Sequence, residues 1–299
     1  MRMSKGPGAP HPLMSLALAA ALITAVLQGS GCGGQSSVDP VAKAAEVTTR
    51  EVGEQITLSE RMSSPALSSP ITIEGSGYMN LPGREGVLNM HFRAGAGAPA
   101  PLANGTARAL FKYPLIYIKW PFLSGKLPGG KQWLLMNVEK ASQAAGLNVS
   151  GLSSASEVDP TQYLSYLRGS SGHVTRLGTD TINGVSTTHY KATILFDRIS
   201  SRLPASQRAG AEAAVRQLEK LTASRGMPVE VWVDSRQRVR RQQLTINEHL
   251  AQGTPVEVLA RVDYVSFGPN PKVTTPASSQ VYDATSAAAA GMKKALGKS

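Results

Sequence analysis

With 299 residues, 41% of them hydrophobic, the chain can bury the core of one large domain or of two small ones. Aromatics are only 5% of it, so that core must be built of Val, Leu, Ile and Ala, and a stacking platform for bases or sugars is disfavoured. The net charge of +11 comes without a basic run interleaved with aromatics, which argues against a nucleic-acid partner, and the single cysteine rules out an internal disulfide.

The N-terminus decides the compartment. Arg2 and Lys5 give a positive start, Leu16 to Leu27 is an apolar run of 12 residues, and Gly29, Ser30 and Gly31 lead to Cys32. This is the make-up of a signal peptide, and the run is well short of the roughly 20 apolar residues of a spanning helix. Cys32 stands where bacterial lipoproteins place the thiol that receives a diacylglycerol, so the stretch resembles a lipobox. Gly29 departs from that pattern, which has an apolar residue three places before the cysteine, and ordinary secretion stays open as the alternative. Either way the working chain is outside the cytoplasm. Removal of 31 residues leaves 268, with 29 basic and 20 acidic residues. On an exported lipoprotein that excess faces anionic lipid headgroups, at about 1 kcal/mol per well-placed Lys or Arg.

Residues 32–46 are expected to be a flexible polar tether, and 47–58, where Val52, Ile56 and Leu58 settle no period, fits a helix or a long first strand and is read as the strand. Beyond it the period is two. Ile71, Ile73, Gly75, Gly77 and Met79 share a face, a turn at 81–86 follows, and Leu88, Met90 and Phe92 return. After a Gly/Pro-rich loop at 95–101, Ala107, Ala109 and Phe111 resume the alternation. Ile116, Ile118 and Trp120 form the next strand, and Leu134, Met136 and Val138 the one after. Strands joined by short connections make an antiparallel meander.

Two short helices are expected at 139–146 and 161–168, the second capped by Asp159 and Pro160. Strands at 173–182 and 187–196 flank Asn183-Gly184, a hairpin signal in which both turn residues must accept positive φ. The spacing of Ala211, Val215, Leu218 and Leu221 predicts an amphipathic helix over 204–224. Strands at 229–234, 239–248 and 256–267 complete the domain, taken as 47–268. The remaining 269–299 is read as a linker and an alanine-rich tail, either disordered or weakly helical.

Chemistry is sparse. Gly125 to Lys131, GKLPGGK, matches the start of a phosphate loop, but Gln132 replaces Ser or Thr, a strand follows where a helix is needed, and Pro128 removes an amide. His11, His91, His173, His189 and His249 are scattered singly, with no ligand spacing and no nucleophile elbow, so no metal or other cofactor is expected. A hydrolase would need His173 or His189 to serve a serine, and clusters of that kind are more often turn and strand-surface residues. Arg236, Arg238 and Arg240 alternate onto one strand face, as a clamp for anionic headgroups or as a solvated hairpin face.

The order of elements, with T-T-H-Y-K-A-T-I at Thr187 to Ile194 and V-E-V-W-V-D at Val229 to Asp234, resembles the actinobacterial LppX/LprG-type lipoproteins. That resemblance implies the fold of the carrier LolA, an α+β half-barrel formed by one strongly curved antiparallel sheet with helices across its concave face. It also implies carriage of an acyl chain or lipoglycan between sheet and helices, with no catalysis. Aliphatic lining suits acyl chains, at about 0.8 kcal/mol per buried methylene. The expected lining is Ile73, Met90, Ile116, Ile118, Trp120, Leu134, Met136, Tyr190, Ile194, Val231 and Val233, faced by Val215 and Leu218. The partners expected are lipid or lipoglycan, the membrane through the Cys32 anchor, and an envelope transporter or other protein. The competing reading is a scaffold lipoprotein with a filled core that binds a protein partner.

Overall fold

The computed structural model describes residues 39–80, 82–95, 104–145, 174–197, 224–249 and 254–295, together with 212, 215, 216 and 219. Cys32, the helix expected at 161–168, His173 and Leu218 lie outside the described residues, as does most of the 95–101 loop.

The first element corrects the sequence reading. Pro40–Thr49 is a helix (α1) and not a tether, because Asp39 accepts hydrogen bonds from the N–H groups of Val41 and Ala42 and Pro40 occupies the first turn. Val41, Ala42 and Ala44 are buried, which docks α1 on the sheet. The first strand begins only at Glu54.

Twelve strands form one sheet: β1 (Glu54–Ser63), β2 (Ile71–Asn80), β3 (Glu85–Arg93), β4 (Asn104–Lys112), β5 (Leu115–Lys119), β6 (Trp133–Asn137), β7 (Thr175–Ile182), β8 (Val185–Leu195), β9 (Gly226–Asp234), β10 (Val239–His249), β11 (Pro255–Phe267) and β12 (Val281–Asp283). The order is β12-β6-β5-β4-β3-β2-β1-β11-β10-β9-β8-β7. Two antiparallel meanders, β1 to β6 and β7 to β11, therefore join through β1 and β11, and the sheet stays open at β12 and β7. Among the described residues only the β12 to β6 pairing is parallel.

Tight turns at 81–84, 113–114, 183–184 and 235–238 lie at one end of the sheet, from which the longer connections 138–174 and 268–280 also set out, while 64–70, 94–103, 120–132, 196–225 and 250–254 join strands at the other, called the long-loop end. At the tight end Asn183 and Gly184 both have positive φ, as the hairpin requires. Gly75, Gly77 and Gly86 put no side chain on one face of β2 and β3, and a Cβ on Gly77 would run into the Val87 carbonyl. Such close backbone approach marks a bend of the sheet toward that face.

The bent face, called inner below, is mainly apolar, with Glu54 and Glu60 of β1 buried on it. Ile56, Leu58 and Met62 from β1 continue through Ile73, Met90 and Phe92 on one side and through Val262, Val258, Leu244, Val231 and Ile194 on the other, in one cluster. Val215 from the expected 204–224 helix joins it, and Glu212, Arg216 and Glu219 are helical too.

The expected tail is part of the fold. Residues 269–280 run along the outer face, where Val273 packs with Val87 and Leu110. β12 then extends the sheet, and helix α3 (Thr285–Ala295) packs on helix α2 (Val138–Ala144). Ala289 of α3 closes a second inner cluster with Ile116, Met136, Val138 and Ala141. Isolated, an alanine-rich helix of this length is marginal in water, and the packing decides its state.

Candidate functional site

Most of the expected lining comes together on the inner face. Ile73, Met90, Trp120, Ile194, Val215, Val231 and Val233 are members of the main cluster, with Ile118 and Tyr190 packed against it. Ile116 and Met136 lie instead in the second cluster, beneath α2 and α3, and half-buried Leu134 stands opposite Ile118. The middle of the face was missed from sequence: Leu58 and Met62 of β1, Leu244 and Ile246 of β10 and Val256, Val258 and Val262 of β11 are all buried there. Their alternation was readable but interrupted, because Glu60 shares their face and is only 1% exposed.

One polar group of the lining stands out. Trp120 is 6% exposed and stacks on Phe92 with ring centroids 5.4 Å apart. Its buried indole N–H has no acceptor among the described residues. The group sits at the long-loop end of the face, where β5 gives way to a turn at Pro121–Leu123. A buried donor left so costs about 1–3 kcal/mol, which an acceptor such as an ester carbonyl would relieve.

An open depression of about 520 Å³ also lies at that end, lined by Ser63, Ser64, Pro65, Asn247, Pro255, Val256 and Glu257. Ser63, Glu257 and Asn247 are cross-strand neighbours on the outer face and Val256 belongs to the inner cluster, so the depression lies at the sheet's end between the two faces.

The arginines divide by burial. Arg236 is exposed in the 235–238 turn. Arg238 and Arg240 both donate to Asp234 Oδ2, at 3.1 and 3.0 Å, and Arg240 also donates to the carbonyls of Tyr264 and Val265. Both guanidinium groups lie over the Phe267 ring. The donors of Arg238 and Arg240 are therefore engaged within the protein, and Arg236 alone of the three faces solvent. Burial by itself would raise the Asp234 carboxyl, but the Arg238 backbone N–H and guanidinium, with Arg240, outweigh it and hold the carboxyl below its ordinary value.

His189 lies on the outer face, stacked on Trp232 at 4.0 Å between ring centroids. Its Nε2 is 2.8 Å from Glu230 Oε2, its Nδ1 is 3.5 Å from Asp180, and Asp180 in turn accepts from the Trp232 indole. Both ring nitrogens thus face carboxylates, and no serine is hydrogen-bonded to this histidine among the described residues. No group of three or more metal-ligating side chains occurs among those residues, and none of their helices is long and apolar enough to cross a membrane.

No family model and no curated protein matches the chain. Among solved structures it is similar to a chain of the MucA/MucB complex from Pseudomonas aeruginosa, at 10% identity and a TM-score of 0.30 over 81% of this chain and 60% of that one. It is similar to LprF from Mycobacterium bovis at 13% identity and a TM-score of 0.39, over 81% of this chain and 100% of that one. The Mycobacterium tuberculosis lipoprotein LppX gives 12% identity and a TM-score of 0.43, over 79% of this chain and 96% of that one. The chain's structural neighbours therefore include LppX and LprF.

Proposed function

We propose that this protein is a lipid-anchored, extracytoplasmic lipoprotein that binds or carries a lipid or lipoglycan against the inner face of its sheet, without catalysis. The observation that carries the reading is an aliphatic face across both meanders that ends, at the long-loop end, on the Trp120 N–H, which has no acceptor among the described residues. Aliphatic side chains recognise acyl chains by area alone, and one donor at the rim suits an ester or headgroup oxygen. The anchor on Cys32 would keep that face within reach of the membrane from which the lipid comes.

The close burial of the inner face favours one alternative, a scaffold lipoprotein with a filled core. Native mass spectrometry of protein recovered from its own host membrane separates the two. The carrier reading expects a bound species of lipid mass, and a Trp120→Phe substitution that keeps the ring but removes the donor lowers lipid affinity about tenfold. Protein that is ligand-free and takes up no lipid would count for the scaffold.

A further inference from the structure

The long-loop end carries a second feature. From Gly86 to Val138 the sequence contains no Asp or Glu and six Lys or Arg residues. Arg108 on β4 and Lys119 on β5 are direct cross-strand partners, both exposed. Like charges placed opposite each other are destabilising, so this pairing is not what stability alone selects. In the loop that follows, Lys126 is exposed, with its ammonium 3.5 Å from the centre of the Phe122 ring. Lys131 is half-buried and donates to the Ser279 carbonyl.

Among the described residues Phe122 is one of four large hydrophobic side chains left open, at 37% exposure. Its ring lies 6.4 Å from that of Trp120, which stacks on Phe92. An aromatic path thus runs from the surface of the loop to the apolar inner face. An exposed aromatic under the Lys126 ammonium, in a loop that also carries Lys119 and Lys131, bonded among the described residues only to the neutral Gln132 side chain and Ser279 carbonyl, matches the chemistry of an anionic membrane interface: apolar area for the acyl boundary, ammonium groups for the phosphates.

We propose that the 119–132 loop is the surface by which this protein docks on an anionic lipid bilayer, with Phe122 entering the headgroup layer and Lys119, Lys126 and Lys131 binding lipid phosphates. The proposal rests on the extracytoplasmic lipid-handling reading and gives it a place: the bilayer meets the end of the sheet to which the apolar face leads. The tight-turn end faces away.

A polarity-sensitive fluorophore tests it on the full chain, attached at Ser124→Cys in a Cys32→Ser background, with Ser235→Cys at the tight-turn end as the reference. On vesicles of phosphatidylcholine and phosphatidylglycerol in a 3:1 ratio (about that composition suffices), the label at 124 shifts to the blue. It stays unshifted on phosphatidylcholine alone, and the label at 235 does not move on either. Replacing Lys119, Lys126 and Lys131 by Ala weakens the anionic-vesicle response roughly a hundredfold in lipid concentration, and Phe122→Ser weakens it about tenfold. An unshifted label at 124, equal shifts at 124 and 235, or indifference to the lysine substitutions would overturn the proposal. Native mass spectrometry of the same variants keeps the two readings apart. Lipid held without a shift at 124 removes the docking loop alone, whereas a shift in protein that never holds lipid leaves the docking loop and removes the carrier.

Discussion

Asp234 does more for the tight-turn end than any other described side chain. Its Oδ1 accepts the backbone N–H groups of Arg236 and Arg238 and so shapes the turn, while Oδ2 takes Arg238 and buried Arg240. Asp234→Ala would leave the Arg240 charge buried without its carboxylate, a loss of about 3–5 kcal/mol measurable by urea unfolding at neutral pH. The pH dependence follows from the lowered carboxyl. A group whose folded value lies below its unfolded value stabilises fully above the unfolded value, here near 3.8, and loses that contribution as pH falls through the folded one. Wild-type unfolding midpoints should therefore drop on acidification below about pH 4 more steeply than those of Asp234→Asn, which lacks the titrating group. An equal acid dependence of the two proteins would show that Asp234 does not set it. The same residue explains what sequence could and could not see in the arginines. Their alternation was legible, but the turn, with Gln237 at positive φ, and the register shift between Val239 and Arg241 tie Arg238 and Arg240 to one carboxylate.

Among the elements, those with strong local signals were readable and those dependent on distant packing were not. Asn183-Gly184 needs only its own backbone preference, so the hairpin was legible in two letters. α1 carried an equally local signal, Asp39 before Pro40, but its apolar residues are mostly alanines and the neighbouring glycine- and serine-rich stretch reads as tether. β1 lost its alternation to Glu60. The C-terminal elements are the reverse case, because nothing local in 281–283 specifies a strand and the alanine-rich 285–295 by itself supports only a weak helix. Asp283 accepts from the Thr285 N–H to start α3, and β6 supplies the edge for β12. A chain ending at Gln280 should uncover Ile116, Met136 and Ala141, lose roughly 3 kcal/mol or more of stability, and bind an apolar dye such as ANS. Unchanged melting would mean that α3 contributes no cover.

On the scale of the whole molecule, the sheet carries its four tight turns at one end and five longer strand-to-strand connections at the other, with a mainly apolar inner face between them. Loops gathered at one end of a rigid scaffold are where binding is usually built. The proposed anchor adds the remaining constraint. Cells supplied with labelled palmitate should incorporate it into the wild-type protein and not into Cys32→Ser, and the substituted protein should leave the membrane fraction; label-free wild-type protein would make this a freely secreted molecule. The sequence by itself determined the antiparallel meanders and the aliphatic character of one face, and it carries the expectation of an export signal, because each is written in residues close together along the chain. Only the tertiary structure decided that β1 and β11 join the two meanders, that the last residues complete the sheet, that two arginines are engaged by Asp234, and that Phe122 and Trp120 link an exposed basic loop to the inner face. The joining of the meanders depends on contacts between residues more than two hundred positions apart, such as the Gln55 amide donating to Asn270, and the other features depend on a turn or a packing arrangement that no periodicity encodes.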